Sequence, residues 1–276
     1  MTGKLVVVAT PIGNLGDLAP RAAVALGAAD VIACEDTRHS RKLFAAIGIA
    51  TPKLISVHKD NEVARVREIL ELIADGNTVA LITDAGTPAV SDPGRHVVEA
   101  AAAAGVVVES IPGPSAVTTA LAASGFEADR YLFEGFLPRK GADRRMRLAV
   151  IAAETRTTVV YESPNRVGAT LQDLADACGF DRPVVVGREL TKIHEEYWRG
   201  GLAAAALAFR EGARGEFVIV IHGGSAEPPD VADEAISAAL AAQLEAGLST
   251  RAAADLVAEQ LGVSRNRAYK LAVSLR

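Results

Sequence analysis

The sequence predicts an α/β fold, and three observations support that prediction. Short runs of β-branched residues alternate with Ala-rich stretches in which apolar residues recur at helical spacing. Runs such as residues 5–8 are apolar without a break, which is typical of strands covered on both faces. Glycine and proline cluster directly after several of these runs. The pattern therefore indicates layers of sheet and helix, with loops at the carboxyl ends of the strands.

Eight strands follow from this alternation, with helical patterns between several of them. One such pattern covers residues 63–74, where Val66, Ile69 and Ile73 share one face. No short repeat period is present, which argues against a solenoid. The predicted strands are residues 5–8, 30–34, 78–82, 106–111, 131–134, 157–161, 183–187 and 216–221.

The composition is that of an ordinary globular protein. Of the 276 residues, 50% are hydrophobic and 23% are charged, which excludes a disordered chain. The formal net charge of −5 argues against a generally basic nucleic-acid coat, although it allows local basic patches. No run approaches the roughly 20 apolar residues of a membrane span. We therefore expect a cytoplasmic protein with no membrane partner.

Cysteine and histidine offer no metal or disulfide pattern. Cys34 and Cys178 are the two cysteines, and they lie far apart in the chain. This number is too small for the disulfide framework of a secreted domain. The five histidines show neither an i, i+4 pair nor a Cys/His ligand spacing. We expect no metal.

Two interruptions divide the chain. Proline and glycine break the pattern between residues 110 and 126, and Gly-Gly and Pro-Pro pairs mark residues 223–230. We expect an N-terminal α/β domain at 1–112, a C-terminal α/β domain at 113–224 and a helical tail at 230–276.

The tail changes composition and charge. Residues 223–248 carry five acidic residues and no lysine or arginine, whereas residues 249–276 carry five basic and two acidic residues. Gly247 is expected to end one helix, Ser249 or Thr250 to begin a second, and Ser264 to cap a third. This helix-turn-helix pattern favours nucleic-acid contact. A small helical bundle on the main body or at an oligomer interface is the structural alternative.

Three loops with glycine and proline follow predicted strands, and together they favour a ligand site. They cover residues 10–16, 84–94 and 112–116. Ordinary turn chemistry explains one such loop more readily than three. A dinucleotide site is a weak rival, because the first loop has G-x-x-G after a proline where G-x-G-x-x-G is required.

A short segment after the second predicted strand concentrates charge. Residues 35–42 contain two carboxylates, three basic side chains and a histidine. A solvated helix start is one interpretation, since Asp36 or Thr37 makes a good N-cap. The functional interpretation places Arg38, Arg41 and Lys42 on phosphates, with a nearby acid or His39 accepting a proton. A second basic stretch, residues 139–147, also fits a solvated helix face.

Six motifs taken in order give the chain a specific resemblance. They are residues 8–17 (VATPIGNLGD), 35–39 (EDTRH), 84–88 (DAGTP), 111–116 (IPGPSA), 133–138 (FEGFLP) and 161–164 (YESP). The chain resembles methyltransferases of the tetrapyrrole-methylase fold over about residues 4–222. Within that superfamily it is similar to the enzymes that 2'-O-methylate a cytidine in the decoding region of 16S ribosomal RNA. Its tail resembles their helix-turn-helix extension.

The resemblance implies two α/β domains with S-adenosylmethionine in the cleft between them, a homodimer, and 16S rRNA or the 30S subunit as partner. It implies that cofactor contacts come from the matched motifs. The cofactor-binding residues so implied are Pro11, Gly13, Asp84, Gly86, Thr87, Pro88, Val90, Ser91, Asp92, Ser115, Ala116, Phe136, Tyr161, Glu162, Leu190, Glu216 and Phe217.

The reaction needs a base and a basic RNA surface. Because the sulfonium of the cofactor carries an activated methyl group, alignment and proton removal remain for the protein. Asp36 and His39 are the candidates for the base. The expected RNA contacts are Arg38, Arg41, Lys42, Arg265, Arg267 and Lys270.

Two alternatives to an RNA enzyme remain. A tetrapyrrole methylase would share the fold, but its substrate would have little use for the basic segment or the helical tail. A transcription regulator would use the tail on duplex DNA and the α/β body as a ligand sensor.

Overall fold

The computed structural model describes residues 3–211, 214–224 and 231–275. Its contacts divide the chain into two compact units, Met1–Gly224 and Ser225–Arg276. The boundary between two α/β domains at residue 112 stays a prediction.

The first sheet of the larger unit is entirely parallel, with strand order β3-β2-β4-β1-β5. Its strands are β1 (Lys4–Val8), β2 (Val31–Cys34), β3 (Lys53–Ser56), β4 (Thr78–Leu81) and β5 (Val107–Ile111). The accompanying helices are α1 (Pro20–Ala28), α2 (Thr37–Ala46), α3 (Glu62–Ala74) and α4 (Arg95–Ala103).

The apolar run of β1 is buried on both faces, as the sequence predicts. Leu5 and Val7 belong to a core that also contains residues of α3 and α4. Val6 and Val8 belong to a second core on the other face, together with residues of α1 and α2. This burial explains why β1 shows no alternation of polar and apolar residues.

The second sheet is mixed, with strand order β6-β7-β10-β8-β9. Only β6 and β7 are parallel; the other three pairings are antiparallel. Its strands are β6 (Tyr131–Phe136), β7 (Thr157–Glu162), β8 (Pro183–Arg188), β9 (Glu196–Gly201) and β10 (Phe217–Ile221). Helices α5 (Ala116–Ser124), α6 (Ala142–Ala153), α7 (Val167–Cys178) and α8 (Leu202–Ala208) complete this part.

All eight predicted strands are present, and two further strands were missed. Both missed strands lie at a sheet edge: β3 is four residues long, and β9 is mostly polar and ends in two glycines. An edge strand needs no continuous apolar run, because one side has no partner strand and it is only partly buried. The α/β fold class is confirmed.

The smaller unit contains three helices, α9 (Asp233–Glu245), α10 (Thr250–Leu261) and α11 (Arg265–Ser274). The hydroxyl of Ser249 accepts a hydrogen bond from the Ala252 N–H, and that of Ser264 accepts one from Arg267. Gly262 ends α10 with φ +65°. The predicted helix boundaries are thus confirmed, apart from residues 225–230 and 276, which lie outside the described residues. No helix in the described parts of the chain is long and apolar enough to cross a membrane.

Candidate active site

The loops after β1 and β4 are joined at the carboxyl edge of the first sheet. The N–H of Thr10 donates to the carbonyl of Gly86 at 2.9 Å, and the N–H of Gly86 donates back at 3.1 Å. The hydroxyl of Thr10 also donates to the carbonyl of Thr83 at 3.1 Å. These bonds hold two of the three predicted ligand loops against each other.

A cavity of about 300 Å³ opens beside this junction. Both sheets contribute to its walls, together with the start of α5. Its lining consists of Ile12, Ala85, Gly86, Thr87, Val90, Ser91, Asp92, Ser115, Ala116, Phe136, Tyr161, Glu162, Ser163, Pro164, Glu216, Phe217 and Val218. Its size and mixed lining suit a small cofactor.

Most residues that the resemblance places around the cofactor line this cavity, and five do not. Pro11, Gly13 and Asp84 line a neighbouring groove instead. Pro88 is buried in its loop, and Leu190 is buried in the apolar core. The lining residues that sequence reasoning missed lie next to named ones, such as Ala85 within DAGTP and Ser163 within YESP. For Ile12, Ala85, Ser163 and Pro164 the position inside a motif was the available signal. Val218 lies outside the six motifs, and only its place next to Phe217 pointed to it.

Aromatic rings form one wall of the cavity. The ring of Tyr161 meets Phe133 and Phe136 edge to face, with centroids 5.0 and 5.6 Å apart. Phe136 is 55% exposed, so its ring can pack on a bound molecule. Burial, with a smaller effect of the Asp92 carboxylate, raises the pKa of Tyr161 to about 12. The hydroxyl is therefore neutral at physiological pH.

Glu162 reaches the cavity wall, but its carboxylate is engaged inside the protein. Its Oε2 accepts from the Thr170 hydroxyl at 2.7 Å and lies 3.3 Å from the guanidinium of Arg166. Its Oε1 accepts from the Ser163 N–H at 2.7 Å. The side chain is fully buried. Glu162 thus anchors the start of α7, since a buried carboxylate requires such partners.

The loop between β4 and α4 holds a strained conformation where it borders the cavity. Ala89 and Ser91 have φ of +67° and +65°, which residues other than glycine rarely adopt. Strained residues of this kind cluster at functional sites. Gly135 of β6 packs on the same loop: a Cβ added there would lie 2.7 Å from the Ser91 Oγ. This contact closes the cavity on the side of the second sheet.

Asp92 in this loop is a partly buried carboxyl near other carboxylates. Burial first, and then the negative charges of Glu35 and Asp84, raise its pKa to about 7. Burial and Asp84 also raise the pKa of Glu35. The edge of the cavity is therefore an acidic environment that favours a cationic ligand group.

A second, more open groove adjoins the cavity and shares Ile12, Ala85 and Glu216 with it. Its walls come from the first loop, α2 and the loop after β8. Its lining consists of Thr10, Pro11, Ile12, Gly13, Leu15, His39, Lys42, Leu43, Ala46, Asp84, Ala85, Lys192 and Glu216. The groove measures about 570 Å³.

Gly13 is required where the loop after β8 meets this groove. A Cβ on Gly13 would clash with the Cγ of Lys192 and lie 3.1 Å from the carbonyl of Leu190. The ammonium of Lys192 donates to Glu189 at 2.8 Å and to Glu216 at 3.1 Å. A lysine paired twice in this way holds the groove wall in place.

The two candidate bases differ in what they contact. Asp36 caps α2, and its oxygens accept from the N–H of Arg38 at 2.7 Å and from the guanidinium of Arg38 at 2.6 Å. These bonds hold the pKa of Asp36 well below its usual range. His39 lines the groove, and its Nδ1 lies 3.3 Å from Oδ2 of Asp84. The helix-cap interpretation of Asp36 is therefore correct.

The basic side chains of α2 are exposed. Arg38 pairs with Asp36, whereas Arg41 and Lys42 have no carboxylate oxygen within 4 Å among the described residues. Positions 38, 41 and 42 share one helix face because they are three and four residues apart. The structure therefore brings the three predicted RNA contacts of α2 together.

The stretch 139–147 is not simply a solvated face. Arg144 is buried, and its guanidinium donates to Asp173 at 2.8 Å and to the carbonyl of Pro138 at 2.9 Å. Arg147 pairs with Glu134. That interpretation is wrong for Arg144, which joins α6 to α7.

Two of the three basic residues predicted to contact RNA in the tail hold its helices together. Arg267 donates to Asp233 at 2.6 Å and to the carbonyl of Val231 at 2.8 Å. Arg265 donates to Asp255 at 2.6 Å. Lys270 is exposed on α11.

Comparison with known proteins shows which family the chain belongs to. The family model for tetrapyrrole (corrin/porphyrin) methylases matches residues 4–206. The chain belongs to the tetrapyrrole methylase family. This membership places it among the S-adenosylmethionine-dependent methyltransferases, and the expected cofactor is thereby confirmed at the level of the family.

Relatives in this family share almost the whole chain. Proteins named "Ribosomal RNA small subunit methyltransferase I" from Synechocystis, Xylella fastidiosa and Escherichia coli O157:H7 are 43%, 45% and 41% identical to it. The alignments cover 99%, 97% and 98% of this chain and 98%, 98% and 95% of the relatives. The tail is therefore part of the likeness.

Solved structures of tetrapyrrole methylases share the fold. A cobalt precorrin-4 methyltransferase of cobalamin biosynthesis is 21% identical, with TM-score 0.60, and the match covers 80% of this chain and 95% of that one. A uroporphyrin-III C-methyltransferase from Thermus thermophilus, complexed with S-adenosyl homocysteine, is also 21% identical, with TM-score 0.54 over 78% and 95%. At such identity these structures support the fold alone.

Proposed function

We propose that this protein transfers the methyl group of S-adenosylmethionine to the 2'-hydroxyl of a cytidine in the decoding region of 16S ribosomal RNA. The full-length likeness to small-subunit ribosomal RNA methyltransferases carries the choice of substrate. The ribose hydroxyl and the cytidine rest on the motif resemblance described above.

The cavity next to the Thr10–Gly86 bridge fits the cofactor. The exposed ring of Phe136 and the apolar Val218 suit an adenine, and Asp92 supplies a carboxyl near which a cationic group is favoured. Gly86, with φ +80°, lets backbone approach a ligand closely. When bound there, S-adenosylmethionine supplies an activated methyl group that passes to the hydroxyl oxygen, leaving S-adenosylhomocysteine.

The adjoining groove suits the acceptor ribose. It shares a wall with the cavity, so a hydroxyl held in it lies next to whatever occupies the cavity. Lys42 in its lining is placed for a phosphate contact. Arg41 on the same helix face extends this positive surface, which an acidic protein needs toward RNA, whereas the charge of Arg38 is offset by Asp36.

His39 is the better candidate for the base. A carboxylate whose oxygens accept from a guanidinium has little affinity for a further proton, which weakens the case for Asp36. His39 lies in the groove, and one ring nitrogen lies close to Asp84. The O–H bond of the ribose breaks as its proton passes to the other nitrogen, Nε2.

Three further proposals concern assembly. We propose that the 113–224 region and the 1–112 region act as separate domains flanking the cofactor.

We propose that the tail contacts RNA chiefly through Lys270, because Arg265 and Arg267 have partners within the tail. A homodimer is proposed from the motif resemblance, and sedimentation of the purified protein tests it.

A transfer assay tests the function. Purified protein with methyl-labelled S-adenosylmethionine is given 30S subunits lacking the modification, free 16S rRNA, and a tetrapyrrole precursor in parallel. We expect label in the ribosomal RNA, resistant to base removal and mapped to one ribose. Label confined to the tetrapyrrole would retain the fold and overturn the RNA function. Failure to bind the cofactor would overturn the methyltransferase proposal as a whole.

A further inference from the structure

We infer that Asp84 is a positioning residue for His39 rather than a cofactor-binding residue. The inference rests on the proposed function, because it concerns the proton of the ribose hydroxyl. It assigns to the DAGTP loop a role on the acceptor side of the site, whereas the motif resemblance alone places Asp84 at the cofactor.

Asp84 lies at the groove and not at the cavity. The next three residues of its loop, Ala85, Gly86 and Thr87, line the cavity, but Asp84 does not. It lines the groove with His39 and Lys42. The carboxylate of Asp84 therefore faces the groove proposed for the acceptor ribose.

Both oxygens of Asp84 are used. Oδ1 accepts the N–H of Asp36 at 3.1 Å, which ties the β4 loop to the start of α2. Oδ2 lies 3.3 Å from Nδ1 of His39, one turn into the same helix. A single carboxylate thus sets the position of α2 and the orientation of the imidazole on it.

This contact determines which nitrogen of His39 carries the proton. With a carboxylate oxygen 3.3 Å from Nδ1, the neutral imidazole favours its proton on Nδ1, because the proton there is attracted to Oδ2. Nε2 then has a free lone pair with which to accept the ribose proton. The resulting imidazolium is stabilised by the neighbouring carboxylate, as in an acid–histidine pair of a hydrolase.

Charged groups of both signs surround His39. Asp36 caps α2, Arg38 and Lys42 lie on it, and Lys192 and Glu216 enter the groove from loops of the second sheet. Lys192 and Glu216 neutralise each other, as do Arg38 and Asp36. Asp84 is therefore the carboxylate that acts directly on the imidazole.

Asp84→Asn separates the positioning role from a cofactor role. The amide oxygen can still accept from Asp36, so the loop tie is retained. The amide NH2 would donate to Nδ1 and hold the proton on Nε2, which can then accept none. We expect kcat to fall by about 100-fold, within the range of a lost general base, while the dissociation constant for S-adenosylmethionine changes less than about twofold.

The matched control is Asp60→Asn. Asp60 is also an aspartate beside a histidine, with Oδ2 4.0 Å from Nδ1 of His58, but it is 92% exposed and lies outside both cavity and groove. We expect it to keep wild-type kcat. His39→Gln provides a second variant that leaves the Asp84–Asp36 bond intact, in case Asp84→Asn fails to fold.

The experiment measures kcat, the Michaelis constant for 30S subunits and cofactor affinity for wild type, Asp84→Asn, His39→Gln and the double variant. We expect the double variant to lose no more than either single one, because both remove the same step.

Three results would overturn the inference. They are wild-type kcat in Asp84→Asn, a cofactor affinity at least tenfold weaker with kcat unchanged, or losses that multiply in the double variant. If wild type itself fails to label 30S subunits, the proposed function fails instead, so the two failures are distinguishable.

Discussion

Gly135 of β6 lies directly against Ser91 of the loop that follows β4, so that a Cβ on Gly135 would stand 2.7 Å from the Ser91 Oγ. Gly135 has φ +61°, and Ser91 has φ +65°. The contact joins a strand of the second sheet to a loop of the first at the rim of the cavity. Two residues with positive φ, one from each sheet's side, are thus in contact at the rim of the cavity.

Gly135→Ala is expected to weaken cofactor binding. The methyl group displaces Ser91, and alanine at this φ costs about 1–2 kcal/mol. Gly125→Ala is the control, because Gly125 has φ +75° with nothing within 4 Å of its Cβ. Calorimetric titration with S-adenosylmethionine should show reduced affinity for Gly135→Ala, while both variants lose thermal stability. Equal affinity in the two variants would contradict the role of the contact.

Asp92 makes the stability depend on pH in a specific direction. Its pKa rises from 3.8 to about 7 on folding, so between these values the folded state holds a proton that the unfolded state has lost. The free energy of unfolding therefore falls as pH rises through this window, and the full loss is present above about pH 7.

Asp92→Asn removes this dependence. We expect its Tm to exceed that of wild type by more at pH 8 than at pH 5, in thermal unfolding followed by circular dichroism. Asp60→Asn, at an exposed carboxylate, should show no such difference. An equal change in Tm at both pH values for Asp92→Asn would show that Asp92 ionises normally.

Arg41 and Lys42 are expected to bind RNA phosphates. Replacing both with alanine should raise the Michaelis constant for 30S subunits about tenfold or more. It should also reduce the salt dependence of this constant, because RNA binding with fewer phosphate contacts releases fewer counterions. The control replaces Arg67 and Arg95, two exposed arginines that pair with glutamates on α3 and α4. Cofactor affinity should stay unchanged in both. If the variant lacking Arg41 and Lys42 has the same RNA kinetics as wild type, this face of α2 is only a solvated surface.

Arg267 is expected to stabilise the tail, whereas Lys270 is expected to bind RNA. Arg267→Ala breaks the link from α11 to α9 and should destabilise the tail by about 1 kcal/mol or less, because the pair is partly exposed. Hydrogen exchange of α9 and α11 should accelerate. Lys270→Ala should leave exchange unchanged and weaken RNA binding. Faster exchange in Lys270→Ala would contradict this division.

The sequence predicted most of the fold because continuous burial leaves a local signature. β1 is covered by helices on both faces, so its residues after Lys4 are all apolar. The edge strands β3 and β9 leave no such signature and were missed. In the tail, Gly247, Ser249 and Ser264 predicted the helix ends, because capping depends on the few residues beside each end.

The candidate site was predicted as a set of motifs but not as a geometry. Gly86 and Ser91 of the loop after β4 line one cavity with Tyr161 of β7, as the motifs imply, although the loop and the strand belong to different sheets. Leu190 matches the family pattern and yet lies in the core. Arg144 stands in a basic run and yet is buried against Asp173. A motif specifies which residue types occur together, but not where each side chain points.

By itself the sequence determined the α/β class, the helical tail and the loops that carry chemistry, because these depend on periodicity, capping and local backbone preference. Only the tertiary structure decided that Asp84 lies beside His39 and that residues of one loop line both the cavity and the adjoining groove. Asp84 and His39 are 45 residues apart in the chain. Their contact depends on the parallel pairing of β2 with β4, which brings the ends of both strands to one edge. Long-range pairing of this kind leaves no pattern within either segment.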